Sequence, residues 1–372
     1  MAPTTPHGEV VLHVISRFAG GGSEQRVLDI IEALPERHHV LVAGTMESPQ
    51  RLDHTPVRVI ESRHLVRPVA PLSDLRALLE LRGLIRDWRP SLVVTHQSKA
   101  GVLGRLAAVL SRTRPLVAQS LSMSALDEAQ SSASRKLYGL IERMLVPWTG
   151  IWLCVGQDLA TQYQSLVGVP AKRSHVVRSS LDLTPFVHRD ARDARRDLGV
   201  PEQPTVAYVG SFEDRKGVRS LSEVFRLLAE RLGSVTALLL GDGPLRADVL
   251  SEVSGLDGVH VVAPGHVRKV HPYMQSSDAL CLPSRAEGLP QVLVQAAAIG
   301  LPWVAHEGVC GVAELIAAGA AGTAVPAGDT PAFARAVERA IQDAACPATT
   351  ATIDLSAWDP LVVTTRYREL LG

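Results

Sequence analysis

Short runs of β-branched and other apolar residues alternate along this chain with longer stretches whose apolar positions recur every three or four residues. VVLHVIS (10–16) reads as a buried strand; Gly20-Gly21-Gly22 follows it, and Ser23 opens a helix, SEQRVLDIIEAL. HVLVAGT (39–45), SLVVTHQ (91–97), PLVAQS (115–120) and GIWLCVG (150–156) continue the strands. LSDLRALLELRGLIRDW (72–88) has helical spacing among them. A charged, proline-containing stretch, HRDARDARRDLGVPEQP (188–204), precedes a second series. Its strands are TVAYVGS (205–211), VTALLLGDG (235–243), VHVVAPG (259–265), DALCLPS (278–284), LPWVAH (301–306) and GTAVPAG (322–328). Strands that alternate with helices form parallel sheets covered on both faces. The pattern predicts an α/β protein of two Rossmann-like domains, 1–187 and 188–372. The periodicity of the last segment, LSAWDPLVVTTRYRELLG, dictates no docking site, and it is a candidate to pack back on the N-terminal domain. Open parallel sheets bind ligands at the carboxyl ends of their strands, so the expected site is a cleft between two facing domains.

Composition narrows the partners. The 38 basic and 38 acidic residues cancel, which leaves no global field drawing the chain onto nucleic acid or an anionic membrane. Cys154, Cys281, Cys310 and Cys346 lie far apart with no CxxC spacing, as expected of buried free thiols in a reducing compartment. MAPTTPHGEV has no basic region before an apolar core, and no run of about 18 apolar residues occurs. A cytoplasmic protein without a transmembrane segment is expected.

Residues able to carry chemistry cluster after strands. Gly21 and Gly22 sit between the first strand and its helix, where backbone can approach a ligand and the helix N-terminus offers N–H groups to an anion. A tight turn explains them as well, and they do not fit GxGxxG spacing. In VGSFEDRKGVRSL (209–221), Arg215 and Lys216 lie in a loop before a helix starting near Gly217. Two adjacent cations there can grip a diphosphate, each charge-assisted contact worth about 1.5–3 kcal/mol, and can neutralise a departing nucleoside diphosphate. The usual fate of such a pair is a solvated turn. GDGP (241–244) and APGHV (263–267) also follow strands and place glycine backbone where a nucleobase can be met. In RAEGLPQVLVQAAAIGLP (285–302), Pro290 suits the first turn of a helix, so that Gly288 and Leu289 present free N–H groups at its mouth. Glu287 beside them can accept hydrogen bonds from sugar hydroxyls, or simply complement the helix dipole for about 0.3–1 kcal/mol. Gln295 lies about two turns further along, within reach of a ribose hydroxyl.

Taken together, GSFEDRKG, GDGP, LPSRAEGLPQVLVQAAAIGLPWVA, VRSSLDLTPF (177–186) and THQSKAGVLGRLAA (95–108) resemble the retaining nucleotide-sugar glycosyltransferases of the GT-B fold, in the family-4 branch. The resemblance runs from the glycine loop to VPAGD (325–329). It implies an N-terminal acceptor-binding domain and a C-terminal domain for a UDP-sugar. It also implies that the glycine loop with Arg215 and Lys216 holds the donor diphosphate, and that His96 contacts the transferred sugar. A lone histidine at a strand end is otherwise often structural. Glu287 matches the first glutamate of the family's paired motif, with Gly288 and Leu289 adding backbone contacts. Gly265, His266 and Val267 fall where the base is read. Gly311 and Glu314, in VCGVAELI, match a family pattern whose role stays open.

Two departures stand out. The second glutamate of the motif is Gln295 here, and an amide with one acceptor oxygen binds a ribose less well, by about 1–2 kcal/mol. Ser211 stands where many members carry arginine, and the downstream Arg215-Lys216 pair matches the version without it. The resemblance implies attack by an acceptor hydroxyl from the leaving-group face, with a donor phosphate oxygen as base. No second carboxylate in a nucleophile position is evident, and no DxD-like pair calls for a metal or other cofactor. The acceptor is either an aminocyclitol or other secondary-metabolite precursor, or a lipid-linked glycan. For the latter, the amphipathic, mildly basic SRKLYGLIERMLVPW (134–148) is a candidate peripheral membrane contact, a core-packing helix being its alternative. Rival classes are a sugar-nucleotide epimerase, which needs acid/base carboxylates not seen here, a dinucleotide oxidoreductase, which needs GxGxxG, and a non-catalytic nucleotide-binding homologue.

Overall fold

The computed structural model describes residues 9–19, 21–66, 68–124, 126, 132–345 and 353–372. The chain forms two compact units, Met1–Leu181 with Ser356–Gly372, and Asp182–Leu355.

The first unit holds β1 (Val10–Phe18), β2 (His38–Met46), β3 (Val57–Glu61), β4 (Leu92–His96), β5 (Leu116–Leu121), β6 (Ile151–Cys154) and β7 (Ser174–Val176). They form one parallel sheet in the order β3-β2-β1-β4-β5-β6-β7. The second holds β8 (Thr205–Val209), β9 (Val235–Leu240), β10 (Val259–Gly265), β11 (Ala279–Leu282), β12 (Trp303–His306) and β13 (Gly322–Val325). Their sheet is also parallel, in the order β10-β9-β8-β11-β12-β13. Each sheet reverses its direction of strand addition once, between β1 and β4 and between β8 and β11. The loops diverge there and leave a crevice at the carboxyl ends of the strands.

The apolar runs read as strands are strands. β3 and β7 were not legible, and the reason differs. β3 is an edge strand whose residues are exposed or half-buried, and β7 has three residues, none of them fully buried. Most of the other strands stop earlier than the apolar pattern does. The helix expected near Gly217 begins at Leu221, after two 3-10 turns. Cys154 and Cys281 are buried free thiols, Cys310 is only half-buried, and Cys346 lies outside the described residues.

The C-terminal helix, Pro360–Leu371, belongs to the first unit. Asp359 caps it, accepting from the Leu361 N–H at 2.8 Å. Val363, Tyr367 and Leu371 enter an apolar cluster with Val11, Ile30, Leu34 and Val177. Arg26 and Asp29 on the first helix, Gly22–Ala33, are buried, each on specific partners. Arg26 donates to Ser120 Oγ at 2.8 Å and to the carbonyls of Val177 and Leu153, while Asp29 accepts from Ser180 N–H at 3.0 Å and from its hydroxyl. Among the described residues no helix is long and apolar enough to cross a membrane.

Candidate active site

In the second unit the loops after β8 and β11 lie side by side because their strands are neighbours. Asp214–Lys216 forms a 3-10 turn that ends at Gly217 with φ 66°. A Cβ on Gly217 would sit 1.9 Å from the Pro283 carbonyl oxygen, so only glycine lets one loop settle against the other. The Arg285 N–H then donates to the Arg215 carbonyl at 2.9 Å. This zipper brings together residues 71 positions apart: Lys216 Nζ forms an ion pair with Glu287 Oε1. Ser284 Oγ donates to the same oxygen at 2.8 Å, and Arg215 Nη1 lies 3.6 Å from Glu287 Oε2. Arg215 Nε is held by Glu213 at 2.9 Å. Glu287 is buried, and burying a carboxylate is costly unless partners of this kind satisfy its oxygens. The group offers two cations for an anion and one carboxylate for hydroxyl donors.

One expectation is corrected. The helix begins at Gln291, and Pro290 is its N-cap, with an extended ψ of 107°. Gly288 and Leu289 precede the cap, so their amides are not those of the first helical turn. Both are buried, and the Leu289 side chain packs on Gly311, where a Cβ would come within 2.8 Å of Leu289 Cγ. Glu314 lies in the short helix that follows, Val312–Ala317. Gln295 is half-buried on the helix Gln291–Ile299, and its amide has no hydrogen-bond partner among the described residues. Gly265, His266 and Val267 stand at the carboxyl end of the edge strand β10, two strands from β8. There the Gly265 carbonyl accepts from the Gly241 N–H at 2.9 Å.

In the first unit Gly20 lies outside the described residues, and Gly21 caps the helix that Gly22 begins. Glu24 reaches back to accept from the Gly21 N–H at 2.8 Å and the Ala19 N–H at 3.1 Å. Part of the anion-binding capacity expected of this loop is thus used by the chain's own carboxylate. His96 ends β4, on the other side of the β1/β4 reversal from β1. The next residue, Gln97, has φ 65° and donates from its side chain to Ser23 Oγ, tying the end of β4 to the start of the first helix. His96 is fully buried, and burial, with Arg26 nearby as a lesser cause, holds its pKa down at about 3. Its Nε2 is 3.4 Å from His13 Nδ1. His13 and His39, which extend this contact, went unread in the sequence. Their signal was a histidine inside each of two otherwise apolar strands, VVLHVIS and HVLVAGT.

Residues 20–184 match the family model described as Glycosyltransferase Family 4, and residues 203–343 match that of Glycosyl transferases group 1. Each unit thus carries its own match. The chain belongs to the group 1, family-4 glycosyltransferases. This retaining glycosyltransferase is similar to the Escherichia coli UDP-Gal:alpha-D-GlcNAc-diphosphoundecaprenol alpha-1,3-galactosyltransferase, at 25% identity over 75% of each chain. It is also similar to the alpha-D-kanosaminyltransferase of Streptomyces kanamyceticus, at 34% identity over 47% of each chain. Among solved structures it resembles Anabaena HepE in complex with UDP-glucose, with a TM-score of 0.74, 19% identity, and 98% of this chain and 99% of that one covered. The family-4 enzyme therefore has the GT-B fold, two parallel-sheet Rossmann-like domains.

Proposed function

We propose that this glycosyltransferase moves a hexose or amino-hexose from a UDP-sugar to an acceptor hydroxyl with retention at the anomeric carbon. The observation that carries the reading is the gathering of Lys216 and Arg215 on Glu287 at the β8/β11 reversal. When the donor enters, its diphosphate draws the two cations, and Glu287 exchanges them for sugar hydroxyls. The anomeric C–O bond to phosphate breaks as the acceptor oxygen bonds to the same face. The acceptor's proton passes to a phosphate oxygen, and Lys216 and Arg215 hold the charge left on UDP. Gln295 meets the ribose, His96 the transferred sugar, and Gly265, His266 and Val267 the base. The first unit binds the acceptor. The likeness to HepE, solved with UDP and with UDP-glucose, supports the choice of nucleotide.

An aminocyclitol or other secondary-metabolite acceptor is supported by similarity to the kanosaminyltransferase and to the 2-deoxystreptamine glucosyltransferase of Streptomyces kanamyceticus, the latter at 26% identity over 72% of this chain. One surface favours a second reading, a lipid-linked glycan. The helix Ser132–Leu145 and the turn Val146–Trp148 expose Leu137, Leu140, Met144 and Trp148 beside the exposed Arg135, Lys136 and Arg143. The helix's acid, Glu142, is turned inward onto Arg105. An apolar stripe rimmed by cations suits an anionic membrane interface.

A nucleotide-release assay tests both readings. Purified protein is incubated with UDP-, dTDP- and GDP-sugars, alone, with aminocyclitols, and with polyprenyl-diphosphate sugars in vesicles. UDP release that depends on an acceptor is expected, and the productive acceptor chooses between the readings. Conversion of a UDP-sugar without acceptor would make the protein an epimerase. Nucleotide binding without release across the whole panel would make it a non-catalytic homologue.

A further inference from the structure

Three histidines on neighbouring strands form a line inside the first unit: His39 on β2, His13 on β1 and His96 on β4. His39 Nε2 is 2.9 Å from the Leu34 carbonyl oxygen. His39 Nδ1 is 3.0 Å from His13 Nε2, and His13 Nδ1 is 3.4 Å from His96 Nε2. The rings are tilted by only 26° and 23°, with centroids 5.3 and 5.7 Å apart. Those separations exceed the N···N distances by about one ring diameter, so the rings meet edge to edge in a hydrogen-bonded row. The far end is a vacancy in the bonding scheme: His96 Nδ1 is buried and has no hydrogen-bond partner among the described residues.

The row has only one polarity. A carbonyl oxygen can only accept, so His39 Nε2 carries the hydrogen. In a neutral ring His39 Nδ1 is then the acceptor, and His13 Nε2 must donate to it. His13 Nδ1 becomes an acceptor in turn, and His96 Nε2 donates. His96 Nδ1 is left with a bare lone pair. Burial keeps all three rings neutral, pushing each below its ordinary value. Arg26 adds to this effect at His96 and is itself engaged with Ser120 Oγ and two carbonyls.

We infer that the Leu34 carbonyl, relayed through His39 and His13, fixes His96 as the Nε2–H tautomer, and that Nδ1 therefore selects a donor sugar whose facing group donates a hydrogen bond. His13 and His39 are positioning residues. A hydroxyl or an amine satisfies the lone pair. A hydrogen in its place leaves a buried acceptor unpaired, and a carboxylate opposes it with lone pairs of its own. The transferred sugar is accordingly a neutral hexose or amino-hexose, not a uronic acid and not a sugar deoxygenated at that position. The selectivity half of this inference rests on the proposed role of His96; the tautomer half does not.

Two measurements separate those halves. In protein labelled with 15N-histidine, two-bond 1H–15N correlation near neutral pH reads each tautomer without any substrate. His96 protonated on Nε2 is expected; protonation on Nδ1 would overturn the relay. His13→Leu and His39→Leu are expected to release the preference, whereas His13→Gln keeps it, because its amide donates to His39 and its carbonyl accepts from His96. The second measurement compares UDP release from the productive donor with that from its single-deoxy analogues and its uronic acid. One deoxy analogue and the uronic acid are expected to lose about 10–100-fold in kcat/KM. That loss shrinks in His13→Leu, with UDP affinity unchanged, and returns in His13→Gln. Equal use of all donors by the unmodified protein, or undiminished discrimination in His13→Leu, would overturn the selectivity. If no donor turns over, the transferase reading fails and the tautomer result still stands or falls by itself.

Discussion

At Glu287 a carboxylate is kept nearly out of solvent by one lysine, one serine hydroxyl and a more distant arginine. The sequence named Arg215, Lys216 and Glu287 but not Ser284, and could not show that they meet. Lys216 and Glu287 are joined through Gly217 and the Pro283 backbone, and no local pattern records that approach. His96 was legible as a histidine at a strand end, but not its hydrogen-bonded neighbours, which come from two other strands. The three neutral histidines have a consequence for stability. In the unfolded chain each takes a proton below its ordinary 6.5, while the folded chain leaves it off, in the case of His96 down to about 3. The unfolded state then binds more protons, so stability present above 6.5 is lost as the pH falls. Urea unfolding at about pH 7.5 and about pH 5.5 is expected to show this loss, each histidine contributing up to about 1.4 kcal/mol per pH unit. His13→Leu should flatten the slope, and an unchanged slope in that variant would contradict the assignment.

Among the elements, buried strands announced themselves by continuous apolar runs, and the edge strand β3, none of whose residues is buried, did not. Helices were legible in place, though two of them start later than expected, and not in what their charges do. Arg105, on the helix Ser98–Ser111, is fully buried, and its Nη2 donates to both carboxylate oxygens of Glu142, at 2.7 and 2.8 Å. Its Nε also donates to the Gly101 carbonyl at 2.8 Å. This pair fastens the helix Ser132–Leu145 to its neighbour and decides which face of that helix stays outside. Arg105→Met strands a buried carboxylate and is expected to cost about 3–5 kcal/mol in chemical unfolding. Adding Glu142→Leu should recover most of that loss. A single variant as stable as the parent would show that the pair is not what holds the two helices together.

For the whole molecule, the two-series pattern revealed two α/β units, and hydrophobic periodicity could not say where the last helix goes. The answer lies in the Val363, Tyr367 and Leu371 faces, which complete a cluster begun by β1 and the first helix. Removing Ser356–Gly372 is expected to destabilise the first unit by about 6–12 kcal/mol, from the loss of four buried side chains, Trp358, Val363, Tyr367 and Leu371. The second unit's unfolding transition and its affinity for UDP should be unchanged, which differential scanning calorimetry and titration would read. A uniform loss in both transitions would contradict the unit assignment. Central to the account is the claim that Lys216, held on Glu287 until a donor arrives, neutralises the departing diphosphate. The most direct test is the rate of acceptor-dependent UDP release by Lys216→Ala at saturating donor. The account requires a fall in kcat of about 10²–10³-fold, with folding intact by calorimetry. Full turnover by Lys216→Ala would contradict it.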